Sequence, residues 1–198
     1  MGDGSTRAYG GVAVEERRAR RRSALFDAAL DLLASDGAGA VTKRAVCQRA
    51  RLNDRYFYEH FADRDALLEA LAGEITAQGI VVVVAAVHAA GPDIDARVRA
   101  AADAAIGFVV SDRRYGALLQ GRSSEPLQRA RLAGQHAIAQ AMVAVAGPSA
   151  PQDADMVAFT VVSGLLEFVA AWIRGEFAAD RSRVIDLVAR MLLGSTGG

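Results

Sequence analysis

Apolar residues recur at helical spacing along almost the whole chain. In residues 18–35 they fall at Leu25, Ala29, Leu32 and Leu33, and Gly37 follows where a left-handed residue can end a helix. The same periodicity predicts further helices from Pro92 onward, with the stripe Val98, Ala102, Ile106 and Val109, and over residues 128–145, 156–174 and 181–193. The pattern therefore predicts an all-α fold.

Three polar residues mark helix starts in the first part of the chain. Thr42 is a predicted N-cap for a helix that reaches about residue 50, Asn53 for one that reaches about residue 61, and Asp63 for a long helix. A tight turn at Arg51 and Leu52 separates the first two, and this arrangement is typical of a helix-turn-helix motif. The second helix of such a motif can present its N-terminal side chains to the major groove of DNA.

Aromatic and charged residues crowd this second helix. Phe57 and Phe61, one turn apart, are expected to pack inward, whereas Arg55 and Tyr56 are expected to face base edges. Hydrogen-bonding groups at the end of the helix and at the start of the next suit phosphate oxygens. The residues expected to contact DNA are Thr42, Lys43, Asn53, Arg55, Tyr56, Tyr58, His60 and Arg64.

The overall charge is balanced, with 23 basic and 23 acidic side chains, so any nucleic-acid surface must be local. Lys43 is the only lysine, and arginine supplies the other positive side chains. The densest basic run is expected either to act as an N-terminal arm that follows a phosphate backbone or enters a minor groove, or to be a solvated helix start. Its members are Arg17, Arg18, Arg20, Arg21 and Arg22.

Residues 42–68, TKRAVCQRARLNDRYFYEHFADRDALL, resemble the N-terminal signature of the TetR family of bacterial transcriptional repressors. The resemblance implies an N-terminal DNA-binding domain, a helical ligand-binding and dimerisation domain, and repression that a small molecule relieves. Arg51 stands where the family usually has glycine. A positive φ there would cost a non-glycine residue on the order of 1 kcal/mol.

These observations predict a flexible tail over residues 1–16, a three-helix helix-turn-helix domain over 17–65, and a helical effector-binding and dimerisation domain over 66–198. The helix over 156–174 is apolar on two faces, so one face can meet a second copy of the chain. With the last helix it resembles the family's final pair, which forms a four-helix bundle across a two-fold axis. The expected interface residues are Val157, Val161, Leu165, Phe168, Val184, Leu187, Val188 and Met191.

A largely apolar effector pocket is expected near Phe108, Tyr115, His136 and Trp172, with turns over residues 115–126. His88 and His136 lie on apolar helices and are interpreted as core or pocket residues, so we expect no metal site and no cofactor. Cys47, the only cysteine, is expected to be a small buried residue, which excludes a disulfide framework.

Other classes of protein are less favoured by the sequence. The chain lacks a Glu-x-x-His pair, a Gly-x-Ser-x-Gly motif and a phosphate loop ending in Gly-Lys, so we expect no catalysis. The apolar run 80–90 is too short to span a bilayer and the run 157–173 is interrupted by polar residues, so we expect no membrane span and a cytoplasmic location. A ligand-sensing or protein-interaction module with weakened DNA binding, or an activator in place of a repressor, stays open.

Overall fold

The structure, a computed structural model, describes residues 5–120, 124–147 and 151–196. Across these residues every regular element is helical, as the sequence predicts. The helices are α1 (Ser5–Asp36), α2 (Lys43–Ala50), α3 (Asp54–Tyr58), α4 (Arg64–Ala89), α5 (Ile94–Ser111), α6 (Tyr115–Gln120), α7 (Glu125–Ala146), α8 (Ala154–Ile173) and α9 (Arg181–Thr196), with a short 3-10 turn at Ala38–Ala40.

All three predicted helix caps are present. The Thr42 hydroxyl accepts from the Ala45 N–H at 3.1 Å, the Asn53 side-chain oxygen from the Tyr56 N–H at 3.3 Å, and the Asp63 carboxylate from the Ala66 N–H at 2.8 Å. Helix α3 ends at Tyr58, before the predicted residue 61, because the His60 N–H bonds the Phe57 carbonyl three residues back and tightens the last turn.

Two predicted irregular segments are helical instead. Residues 5–16, for which the sequence predicts a flexible tail, lie in α1; residues 1–4 are outside the described part of the chain. Once the packed part of a helix has formed, each added residue gains a hydrogen bond, so good helix formers such as Glu15 and Glu16 extend it. Residues 115–120, predicted as turns, form α6. Residues 121–123 of that predicted segment also lie outside the described residues.

The chain divides into two compact units, Met1–Leu68 and Glu69–Gly198. In the first unit Phe57 is fully buried and Phe61 is 5% exposed, and their ring centroids lie 5.8 Å apart. Leu25, Leu33 and Val46 share this core, so the inward orientation predicted for the two phenylalanines is confirmed. Cys47 is buried as predicted, and burial raises the pKa of its thiol.

The second unit is built mainly on the pairs α5–α9 and α7–α8. Ala102 and Ile106 of the predicted stripe are buried against α8 and α9, and Val98 and Val109 pack on the same cluster. A smaller cluster joins Ala139 of α7 to α8. Helix α4 is less covered, because Val81 and Val82 are 68% and 44% exposed.

Two described helices, Arg64–Ala89 and Ala154–Ile173, are long and apolar enough to cross a bilayer by length and composition alone. Core helices of proteins without a membrane span meet the same criterion.

Candidate nucleic-acid interface and ligand cavity

The turn between α2 and α3 is set by Arg51, whose φ of 55° and ψ of 39° are left-handed. It is the one non-glycine residue with positive φ in the described ranges. The Leu52 N–H bonds the Cys47 carbonyl at 3.0 Å, which closes the end of α2. The turn thus keeps the conformation that favours glycine, and it directs the chain from α2 into α3.

The outer surface of α2 and α3 carries Arg55, Tyr58 and Lys43. The Arg55 side chain is 83% exposed and lies 3.4 Å from the Glu59 carboxylate, and Tyr58 is 59% exposed. Lys43 pairs with Asp54 and lies 3.4 Å from the Tyr58 hydroxyl. The hydrogen bond that Lys43 donates to Asp54 raises the pKa of Lys43, so the ammonium stays charged. These groups form a polar, accessible surface at the helix-turn-helix.

Tyr56 does not point outward as predicted. It is half-buried, and the Arg21 guanidinium lies over its ring, 4.5 Å from the centroid. Tyr56 faces Arg21 of α1, whereas Arg55 and Tyr58 of the same helix are exposed. Its ring therefore helps to join α3 to α1 through a cation–π contact.

The arginine run lies within helix α1 and is not a separate arm. Arg21 lies 3.4 Å from the Glu59 carboxylate, and an Arg18 Nη group donates to the Glu59 carbonyl at 3.5 Å. Arg20 pairs with Glu16 one turn earlier, at 3.6 Å. Arg17 and Arg20 face solvent, whereas Arg21 and Arg22 are half-buried. Two of the five arginines of the predicted arm, Arg18 and Arg21, are thus held against Glu59 of the protein itself.

His60 is half-buried, and its Nε2 atom is enclosed without a hydrogen-bond partner among the described residues. Burial lowers the pKa of the imidazole, and the neighbouring Arg18 and Arg21 lower it further. A neutral, enclosed ring is a poor ligand for phosphate, so the structure favours Tyr58 over His60 among the two predicted contacts.

Arg64 binds the backbone that precedes α2. Its Nε donates to the Val41 carbonyl and one Nη to the Ala38 carbonyl, both at 2.6 Å, while the other Nη lies 2.9 Å from the Asp65 carboxylate. At least three of its five N–H groups are therefore engaged. Arg64, predicted as a phosphate contact, instead positions the segment that leads to Thr42. The hydrogen bond from Arg64 to the Ala38 carbonyl, 26 residues away, could not be predicted from the spacing of residues in the sequence.

The second unit contains a cavity of about 390 Å³. Two of the four predicted pocket residues line it: Phe108 and Tyr115, whose rings stack 5.2 Å apart. The other two do not. The His136 ring stacks on Phe159 with 4.5 Å between centroids, and the Trp172 indole N–H donates to the Ala179 carbonyl at 2.8 Å, so both side chains contact other groups outside this cavity.

Two of the predicted interface residues are core residues of this chain. Val184 and Val188 are 1% and 4% exposed and pack with α5 and α8, so they cannot meet a second copy. Val157, Val161, Leu165, Phe168 and Leu187 are half-buried, and Met191 is 47% exposed. Helical periodicity shows which side chains share a face but not whether that face is buried. The predicted set therefore combined Val184 and Val188 of the buried face of α9 with Leu187 and Met191, which are more exposed. Met156, which the prediction omitted, is 69% exposed.

Residues 25–71 match the family described as bacterial regulatory proteins, tetR family. No curated protein matches the sequence.

Several solved structures have the same fold. The fatty acid degradation regulator FadR from Bacillus halodurans aligns with a TM-score of 0.69 at 15% identity, over 87% of this chain and 97% of that one. A TetR-like transcriptional regulator from Rhodococcus sp. RHA1 gives 0.66 at 19% identity, over 90% and 97%. A proposed TetR-family regulator from Syntrophomonas wolfei gives 0.72 at 15% identity, over 89% and 95%. Over residues 25–71 the sequence is thus similar to the tetR family, and the chain shares the fold of these solved regulators.

Proposed function

We propose that the protein is a ligand-responsive transcriptional repressor. It binds a palindromic DNA operator as a homodimer and leaves it when a small, largely apolar effector binds the second unit. The observation that carries this proposal is the capped α2–turn–α3 motif, which leaves Arg55 and Tyr58 exposed and Lys43 half-buried beside them on one short surface.

The accessible groups have the chemistry that DNA recognition needs. Arg55 can bind a guanine edge through two parallel N–H groups, and the Tyr58 hydroxyl and Lys43 can bind phosphate oxygens. Lys43 is paired with Asp54, so binding a phosphate requires this pair to loosen. Tyr56 and Arg64 act as positioning residues, since one joins α3 to α1 and the other holds the turn before α2.

The outer surfaces of α8 and α9 support a dimer. Met156, Thr160 and Gly164 are exposed one turn apart along α8, and Met191 is exposed on α9. A Cβ added at Gly164 would meet no atom of the described residues within 4 Å, so a second helix can approach there closely. Two copies related by a two-fold axis would present two α3 helices, and such a pair selects a palindrome.

The cavity supports effector control. Its volume of about 390 Å³ lies in the range of small-molecule sites. Helix α4 has residues in both units, because it runs from Arg64 to Ala89 across the division at Leu68. An effector can bind more tightly to a conformation in which the two α3 helices are wrongly spaced for the operator. The difference in its binding free energy between the two conformations then sets how far operator affinity falls.

Selection of duplexes from a random DNA pool by the purified full-length protein tests the proposal. An R55A/Y58A double variant removes the accessible groups, and Arg183→Ala removes an exposed arginine of the second unit as a control. We expect the native protein and the control to enrich one palindrome, and the double variant to enrich none.

Failure of the native protein to enrich any sequence at low salt would overturn the operator proposal. It would favour the alternative of a helical ligand-sensing or protein-interaction module. Enrichment of a site without two-fold symmetry would keep DNA binding but contradict the dimeric mode of reading.

A further inference from the structure

The cavity of the second unit is long. Its lining on α4 runs from Ala72 to Val87, which lie 15 positions or about 22 Å of helix apart, and on α7 from Leu127 to Ala146. Glycines bring the helices together along it: a Cβ at Gly79 would lie 3.1 Å from the Phe108 ring, and one at Gly134 would lie 3.2 Å from the Thr76 hydroxyl. The cavity therefore suits a chain-like ligand better than a wide ring system.

The lining is apolar except for four side chains, Thr76, Arg97, Tyr115 and Arg131. Arg97 and Phe108 lie 11 residues apart on α5, so about 16 Å separates them along the helix axis. Arg97 lies at the end of the cavity that is lined by the last turn of α7, because one of its Nη groups donates to the Val145 carbonyl at 3.2 Å. The cavity thus combines an apolar length with a cationic end.

The two lining arginines differ in their partners. Arg131 lies 3.7 Å from Glu167, a carboxylate that is also 3.6 Å from Arg174. Arg97 is half-buried and has no carboxylate within ion-pair distance among the described residues. A guanidinium has five N–H groups in a planar fork that matches a carboxylate. Arg97 is therefore the lining group that lacks an anion and is built to bind one.

We infer that the cavity binds an unbranched amphiphile with a terminal carboxylate, its head group on Arg97 and its chain directed along α4, α5 and α7 toward Phe108. The inference rests on the proposed function only in taking the cavity as the effector site. The apolar wall provides affinity in proportion to the buried chain, and Arg97 provides the preference for an anion.

The test measures binding to the full-length protein in the absence of DNA, by isothermal titration and by the shift of the unfolding temperature. The probes are straight-chain saturated carboxylates of increasing length and the primary alcohols of the same lengths. We expect the carboxylate to bind at least about tenfold more tightly than its matched alcohol. Affinity should rise about fourfold for each added methylene until the apolar length is filled.

Two matched variants locate the head group. Arg97→Gln should reduce the preference for the acid to nearly none while leaving alcohol binding unchanged, and Arg131→Gln, at a lining position with its own carboxylate partner, should keep the preference. Arg97→Lys retains the charge without the fork and should retain part of the preference, which separates the head-group role from a folding defect.

Equal affinity for acid and alcohol, loss of the preference in Arg131→Gln alone, or no binding by either series would overturn the inference. Each of these results is distinguishable from failure of the proposed function, because operator selection by the ligand-free protein does not depend on them.

Discussion

The two units of the molecule are packed in different ways. In the first, Phe57, Leu25, Leu67 and Leu68 are fully enclosed, and side chains such as Arg64 bind backbone carbonyls. The second keeps a cavity of about 390 Å³ and leaves Val81 of α4 68% exposed. Close packing fixes a unit in one geometry, whereas unfilled apolar space lets a ligand select among several. The contrast agrees with the proposed roles, a rigid unit that binds DNA and an adaptable unit that binds a ligand.

Paired leucine truncations test the packing contrast most strongly. Leu25→Ala empties a site that is fully buried in the first unit, and we expect a loss of about 3–5 kcal/mol in the free energy of unfolding. Leu118→Ala enlarges a cavity that already exists, so its loss should be below about 2 kcal/mol. Denaturant unfolding measures both. Equal losses would show that the two units are packed alike.

The outer face of the second unit offers a further contrast, between two exposed apolar surfaces. Met156→Asp on α8 should weaken the dimer by at least about 2 kcal/mol, because it places an unpaired carboxylate in the proposed interface. Val81→Asp changes an equally exposed residue of α4 and should leave the dimer intact. Sedimentation velocity over a dilution series distinguishes the two variants, and dissociation by Val81→Asp alone would move the interface to α4.

Within the first unit, the turn between α2 and α3 holds Arg51 in a left-handed conformation that is unfavourable for a residue with a Cβ. Arg51→Gly should stabilise the protein by about 0.5–1 kcal/mol, since glycine adopts φ near 55° without a Cβ clash. Gln48→Gly, at an exposed position inside α2, should instead destabilise it by about 1 kcal/mol. Denaturation midpoints report the sign, and destabilisation by Arg51→Gly would show that the arginine side chain stabilises the turn.

The smallest expected effect concerns pH. Because the folded-state pKa of His60 lies below its usual 6.5, the unfolded chain takes up a proton first as the pH falls. The contribution of this group to stability is therefore constant at higher pH and decreases below about pH 6.5. Unfolding midpoints between pH 8 and pH 5 should fall less steeply in His60→Gln than in the native protein. His88→Gln, at an exposed position, is the control, and identical slopes in all three would contradict the assignment.

The first unit is also the one that the sequence predicts well. Thr42, Asn53 and Asp63 are capping residues at the starts of short helices, and Phe57 and Phe61 are spaced to share a core. Such signals are local, so they can be read directly from the chain. The positions of Tyr56 and Arg64 could not, because their partners Arg21, Ala38 and Val41 are distant in sequence.

In the second unit, periodicity predicts the helices but not which side chains face a cavity, a core or a partner. Val184 and Val188 lie in the core and Trp172 bonds the Ala179 carbonyl, although their spacing equally suits an interface or a pocket. Arg97 gives no sequence signal, since its importance comes from the apolar surroundings that α4 and α7 provide. Tertiary packing decides whether a side chain faces a cavity, the core or a partner, and the spacing of residues along the chain does not predict it.

The central proposal is that DNA binds the first unit and not the second. Amide hydrogen exchange of the full-length protein tests it, measured with and without a duplex enriched from the random pool. We expect the duplex to slow exchange over residues 42–60, in α2, its turn and α3, and to leave exchange in the cavity-lining part of α7 unchanged. Protection confined to α7 or α5, with no change over residues 42–60, would contradict it and place DNA binding in the second unit.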